Sequence, residues 1–155
     1  MGALISRVKI LFVLVLLLGV VAPAQAREIF RANLVPRDGV STGASGYAIF
    51  ELDDTETQVQ FQIEYADLSS PEIAAHVHRA NGEIVYALPG GNPKVGVWQD
   101  PGPVAVFQLR QGQLFVLVHT EANPGGEIRG DLSDLVVPIA PDSFGAVKAL
   151  YGEAR

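Results

Sequence analysis

Strict alternation of apolar and polar side chains between Thr57 and Ala66 constrains the fold of this chain more than any other feature. Val59, Phe61, Ile63 and Tyr65 alternate with three glutamines and one glutamate. A two-residue period places all the apolar side chains on one face of a β-strand. The segment is therefore predicted to be a strand with one buried and one hydrated face, as in an antiparallel sheet.

Eight further segments have the character of short strands, and turns rich in Gly, Pro, Asn and Asp separate most of them. They are Glu28–Val35, Gly46–Leu52, Ile73–Arg79, Glu83–Leu88, Val95–Trp98, Val104–Leu109, Gln113–Thr120 and Glu127–Leu132. Short strands at this spacing predict an all-β fold, specifically an antiparallel Greek-key β-sandwich. Gln113–Thr120 is apolar on both faces, which predicts a central strand.

The N-terminal residues 1–26 have the composition of a secretory signal peptide. Arg7 and Lys9 give a positive start, an apolar stretch follows over Ile10–Val21, and Ala24-Gln25-Ala26 is a small-x-small cleavage site. The apolar stretch is shorter than the roughly 20 residues of a membrane-spanning helix, which disfavours the alternative of an uncleaved anchor. We therefore expect an exported protein, either periplasmic or extracellular, with no stable membrane insertion after cleavage.

The remaining 129 residues, 27–155, contain nine basic and 17 acidic residues, because Arg7 and Lys9 leave with the signal. The resulting net charge of −8 argues against nucleic acid and anionic membrane as partners, and is compatible with solubility or with attraction of cations. The chain has no cysteine, which excludes disulfides and a lipid anchor on cysteine. We predict one β-sandwich domain at 27–132 and a C-terminal linker with a short helix or tail at 133–155.

The three histidines of the chain lie in two of the predicted strands. His76 and His78 are two residues apart, so their rings lie on one face, about 6.6 Å apart along the strand. His119 is on the Phe115 and Leu117 face of the central strand. If the two strands are neighbours, three imidazoles converge as the ligands of a transition-metal site. The alternatives are hydrogen-bonded sheet histidines and a polar patch that titrates without metal.

Several motifs resemble those of the CHRD domain, which is named after chordin and is also common in exported bacterial proteins. They are Ala75–His78, Val118–Thr120 and Pro124–Leu132, together with Phe30–Leu34 and Gly46–Phe50. The resemblance covers roughly Glu28–Leu132. It implies the sandwich fold, but no particular activity, because the family has no generally established biochemical activity.

A weaker similarity connects the chain to copper/zinc superoxide dismutase, an eight-stranded Greek-key sandwich. This resemblance implies that His76, His78 and His119 are copper-type ligands and that Arg129 is a nearby cation. The chain departs from that enzyme because it has only three histidines, no cysteines and a short loop from His119 to Arg129. These departures count against dismutase activity.

These observations favour an exported module that binds one Cu or Zn ion through the three histidines. Possible partners of the ligating rings are the carboxylates of Glu72, Glu121, Glu127 and Asp131. Arg129 is either an anion contact beside the metal or, with Glu127, part of a charge ladder on the sheet.

Two hypotheses from other classes stay open. One is a non-catalytic structural or binding module for an extracellular protein or glycan, without metal. The other is an enzyme, either redox at an open copper site or hydrolytic. The chain has no Gly-x-Ser-x-Gly nucleophile motif, and nothing in its sequence favours hydrolysis by serine and histidine.

Overall fold

The computed structural model describes residues 27–135, which form nine β-strands and one α-helix. The strands are β1 (Glu28–Pro36), β2 (Ser45–Leu52), β3 (Gln58–Ala66), β4 (Glu72–Arg79), β5 (Ile84–Ala87), β6 (Lys94–Gln99), β7 (Leu114–Thr120), β8 (Ile128–Asp131) and β9 (Ser133–Leu135). The helix α1 spans Gly102–Arg110, between β6 and β7. The predicted all-β fold class is confirmed.

The strands pair in the order β5-β4-β7-β8-β1-β2-β3-β6, with β9 added beside β1, and every pairing is antiparallel. Strand β1 belongs to both halves of this nearly closed sheet. Most of β1 pairs with β2, whereas Val35 and Pro36 at its end pair with β8. The connections from β3 to β4 and from β5 to β6 cross from one half to the other, so the two halves enclose one core as in a sandwich.

The core combines the inward side chains of the two halves. Phe30, Phe50 and Phe61 come from one half, and Val77 and Val116 come from the other. In β3 the four alternating apolar side chains are buried as predicted. Strand β7 lies between β4 and β8 and is almost entirely buried, which confirms its prediction as a central strand. Because these side chains point into the core, the side chains on the opposite face of each strand are the ones available to form a functional site.

The predicted strand Val104–Leu109 is wrong, because this segment lies in helix α1. Its buried side chains are Ala105, Val106 and Leu109. Residues at positions i, i+1 and i+4 lie on one face of a helix, whereas in a strand neighbouring residues point to opposite faces. The helix ends where the amide of Gly112, with φ +63°, donates to the carbonyl of Leu109. No helix within residues 27–135 is long and apolar enough to cross a membrane.

The sheet continues beyond the predicted end of the domain at Leu132. Ser133–Leu135, predicted as the start of a linker, forms β9 and pairs with Ile29–Arg31 of β1. The predicted signal peptide at 1–26 and the predicted helix within 133–155 lie outside the described residues.

Candidate metal site

Antiparallel pairing of β4 with β7 brings the three histidines together. His76 is opposite Leu117, His78 is opposite Phe115, and His119 is opposite Ala74. Residues opposite one another share a face of the sheet, so all three rings lie on the outer face, away from the core. Each histidine contributes one ring nitrogen to the cluster, and these three nitrogens all lie within 4.8 Å of one another. The predicted convergence of His76, His78 and His119 is therefore observed.

Hydrogen bonds to backbone carbonyls fix the tautomers of two of the rings. Nδ1 of His78 lies 2.9 Å from the carbonyl oxygen of Gly82, and Nδ1 of His119 lies 2.9 Å from that of Pro124. Because a carbonyl only accepts, each Nδ1 must carry the proton. In the neutral ring each Nε2 is therefore unprotonated, as metal ligation requires, and that of His119 accepts a hydrogen bond of 3.3 Å from Nδ1 of His76.

The Nε2 atom of His78 is the unusual atom of the cluster. It is buried and has no hydrogen-bond partner within the part of the chain that the structure describes. A buried acceptor left without a partner costs about 1–3 kcal/mol, and such atoms are rare in native proteins. A ligand at this position would remove that cost.

The spacing of the nitrogens is close to that of a metal site. With Zn–N bonds of about 2.05 Å, two ligands of a tetrahedral ion are about 3.3 Å apart. Nδ1 of His76 lies 3.3 Å from Nε2 of His119. The third nitrogen, from His78, lies within 4.8 Å of both, and the centroids of the three rings are 5.1–5.8 Å apart.

The surroundings of His76 and His119 favour the neutral form of both rings. Desolvation lowers the pKa of His76, and the two neighbouring histidines lower it further. Desolvation also lowers the pKa of His119, against the opposing effect of its bond to Pro124, and His78 and then Arg37 contribute to the same lowering. An imidazolium ion repels a cation and a neutral imidazole does not, so the lowered pKa values of His76 and His119 favour the form that can ligate a metal.

Comparison with known protein families agrees with this architecture. Residues 28–132, about two thirds of the chain, match the CHRD domain family. The chain belongs to the CHRD family. CHRD domains are typically extracellular or secreted. No curated protein matches the chain.

The CHRD domain of this chain holds its histidines with backbone carbonyls. The expected carboxylate partners have other contacts: Glu72 pairs with Lys94, and Asp131 pairs with Arg129. Glu121 is exposed at the start of the loop that follows His119. The carbonyls of Gly82 and Pro124 orient the rings instead. Carbonyls serve this purpose as well as carboxylates do, but they leave the site without negative charge.

Glu127 lies away from the histidine nitrogens and organises the loops of the CHRD domain. Its carboxylate is fully buried and accepts bonds of 2.7–2.8 Å from the side chains of Thr42, Ser69 and Thr120 and from the amide of Ser69. Asn123 adds a longer bond of 3.3 Å. These donors outweigh desolvation and lower the pKa of Glu127 to about 2. Glu127 therefore takes no part in the charge ladder that was one reading of Glu127 and Arg129, because its carboxylate is held by the loops and Arg129 pairs with Asp131.

Arg129 does not contact the histidines directly, because the Phe115 ring lies between its guanidinium group and His78. Its guanidinium carbon lies 3.7 Å from the centroid of Phe115, and its Nη2 lies 2.7 Å from Asp131. Phe115 in turn stacks on His78, with centroids 5.2 Å apart and ring planes 11° apart. The Phe115 ring therefore packs against the face of the His78 ring and helps to hold its orientation. The contact of Arg129 with an anion stays a prediction.

Sequence reasoning missed Arg37, which follows β1 in the turn before Asp38. Its Nε donates to the carbonyl of Gly126 at 3.1 Å, two residues beyond the Pro124 carbonyl that holds His119. No local pattern signals this contact, because 89 residues separate its two partners. The Asn81-Gly82 turn, in contrast, is evident in the sequence as a turn, although its carbonyl contact with His78 is not.

Proposed function

We propose that this CHRD-domain protein binds one Cu or Zn ion through His76, His78 and His119. The observation that carries the proposal is the buried, unpartnered Nε2 of His78 beside two further imidazole nitrogens. Imidazole suits both metals, and the chain offers no thiolate that would select a softer ion. Three protein ligands leave one position of a tetrahedral ion open, as in sites that exchange a ligand with solvent.

The proposed role is to sequester or carry the metal outside the cytoplasm. The signal-peptide character of residues 1–26 and the family's usual location support export. The ligands lie on two adjacent strands of one sheet, a rigid support that suits stable binding. His76 and His119 are half-buried, so an incoming ion reaches the site from the outer face of the sheet.

Metal content and titration of the purified protein test the proposal. Elemental analysis and isothermal titration with Zn²⁺ and Cu²⁺ should give one equivalent for the wild type. His76→Ala, His78→Ala and His119→Ala should each weaken binding more than about tenfold, because each removes one of three ligands. Glu121→Gln, which removes an exposed carboxylate next to the site, is the matched control and should bind as the wild type does.

Two results would contradict the proposal. One is absence of stoichiometric binding by the folded wild type. The other is unchanged affinity in the variant that lacks all three histidines. Either result would favour a non-catalytic structural or binding module for an extracellular protein or glycan, in which the carbonyl bonds of His78 and His119 are simply structural.

A further inference from the structure

We propose that the remaining position of the bound metal takes an anion, and that Arg37 is the residue that helps to hold it. The inference rests on the proposed metal function and names the ligand class of the same site. The ligand is a small monovalent anion or the carboxylate group of an organic molecule. The step is a ligand exchange in which the anion replaces a water molecule, with no change of oxidation state.

The charge of the ligand set motivates an anionic ligand. All three metal-binding side chains are neutral imidazoles, and their supporting partners are the carbonyls of Gly82 and Pro124. No carboxylate among the described residues belongs to the cluster of metal-binding atoms. A divalent ion would therefore keep its full charge of +2, in a half-buried site where Coulomb attraction exceeds that in bulk water.

A single loop connects Arg37 to this site. The Pro124 carbonyl accepts from His119, and the Gly126 carbonyl, two residues on, accepts from Nε of Arg37. Nη2 of Arg37 lies close to this loop, since a Cβ atom at position 125, now glycine, would be 3.4 Å from it.

Arg37 is available for a ligand in a way that Arg129 is not. It is exposed, and no carboxylate within residues 27–135 forms a salt bridge with it. Arg129, the cation expected from the dismutase similarity, is occupied by Asp131 and Phe115. Arg37 also borders an open cavity of about 440 Å³, which Arg129 and Asp131 line as well and none of the three histidines does. Substitutions of the two arginines should therefore differ in their effect on anion affinity.

Azide titration of the Cu²⁺-loaded protein, followed by the charge-transfer absorption of the copper–azide complex, tests the inference. We expect a 1:1 azide complex in the wild type and about threefold to tenfold weaker azide affinity in Arg37→Gln, the scale of one lost charge contact near the surface. Arg37→Lys should retain part of the affinity. Arg129→Gln should weaken it less than Arg37→Gln does.

The matched control is Arg110→Gln, which removes the same charge at an ion pair with Glu28 and Glu56. It should leave azide affinity unchanged. Competition by acetate and benzoate then distinguishes the two sources of ligand: stronger competition by benzoate than by acetate indicates an organic carboxylate, and competition by neither indicates a small inorganic anion.

The outcomes of the azide titration separate this inference from the proposed function. Copper binding without an azide complex, or equal azide affinity in the wild type and Arg37→Gln, overturns the inference alone. Absence of copper binding overturns the proposed function and the inference with it.

Discussion

Replacing Glu127 with Gln removes a buried charge that five hydrogen bonds hold in place. The folded state lowers the pKa of this carboxyl from its ordinary 4.5 to about 2. A pKa that is lower by one corresponds to about 1.4 kcal/mol, so ionised Glu127 stabilises the fold by about 3 kcal/mol at neutral pH. Since the Gln amide cannot accept all five bonds, we expect Glu127→Gln to lower the free energy of unfolding by about 2–3 kcal/mol at pH 7.

The pH dependence of this loss gives the sign of the effect. Because the pKa is lower in the folded state, the stabilisation is complete above about pH 5 and is lost as pH falls from about 4.5 towards 2. About 2 kcal/mol of it should be gone by pH 3. The difference between the wild type and Glu127→Gln should therefore shrink as the pH falls, while the wild type itself becomes less stable.

Urea denaturation at pH 7 and pH 3, followed by circular dichroism, measures both quantities. Glu121→Gln removes an exposed carboxylate six residues away and serves as the control, with an expected change below about 0.5 kcal/mol. A Glu127→Gln protein within about 0.5 kcal/mol of the wild type at pH 7 would show that the buried charge does not stabilise the fold. So would a deficit of equal size at both pH values.

Two further substitutions test contacts near the site by the same denaturation assay. Gly126→Ala should destabilise the protein by about 3 kcal/mol, because a Cβ there would lie 2.5 Å from Cδ1 of Leu117 and the φ of +109° is strained for alanine. Gly43→Ala, which has open space around it, is the control and should change the stability little. Equal effects of the two substitutions would contradict the packing argument. Lys94→Met should cost about 3–5 kcal/mol, because Lys94 is fully buried and Glu72 would lose its charged partner at 2.6 Å. Adding Glu72→Gln should restore part of that loss, and a stable single variant would show that the ion pair matters little.

The strands and the histidine cluster are predictable because they depend on local periodicity. In β3 a two-residue pattern alone decides which side chains are buried, and the same rule places His76 and His78 on one face. Convergence with His119 also requires β4 and β7 to be neighbours, and the register confirms that they are. Helix α1 was not predicted, although Pro103 near its start and Gly112 after its end are helix signals.

Contacts between loops cannot be predicted in the same way. The carboxylate of Glu127 collects donors from Thr42 and Ser69, which are 85 and 58 residues away along the chain. The partner of Arg37 is the carbonyl of Gly126, and every residue has a carbonyl, so no residue type reveals the contact. The same limitation made carboxylates the expected partners of the histidines, whereas carbonyls of two turns take that place.

Anomalous diffraction from crystals of the Zn²⁺-loaded protein, collected at the zinc absorption edge, would locate a metal bound by the three histidines. We expect one strong peak about 2.0–2.1 Å from Nε2 of His78, Nε2 of His119 and a ring nitrogen of His76. We also expect the His78 and His119 rings to keep their bonds to the carbonyls of Gly82 and Pro124. A peak at a site that excludes these histidines, or no peak at saturating zinc, would contradict the proposed metal site.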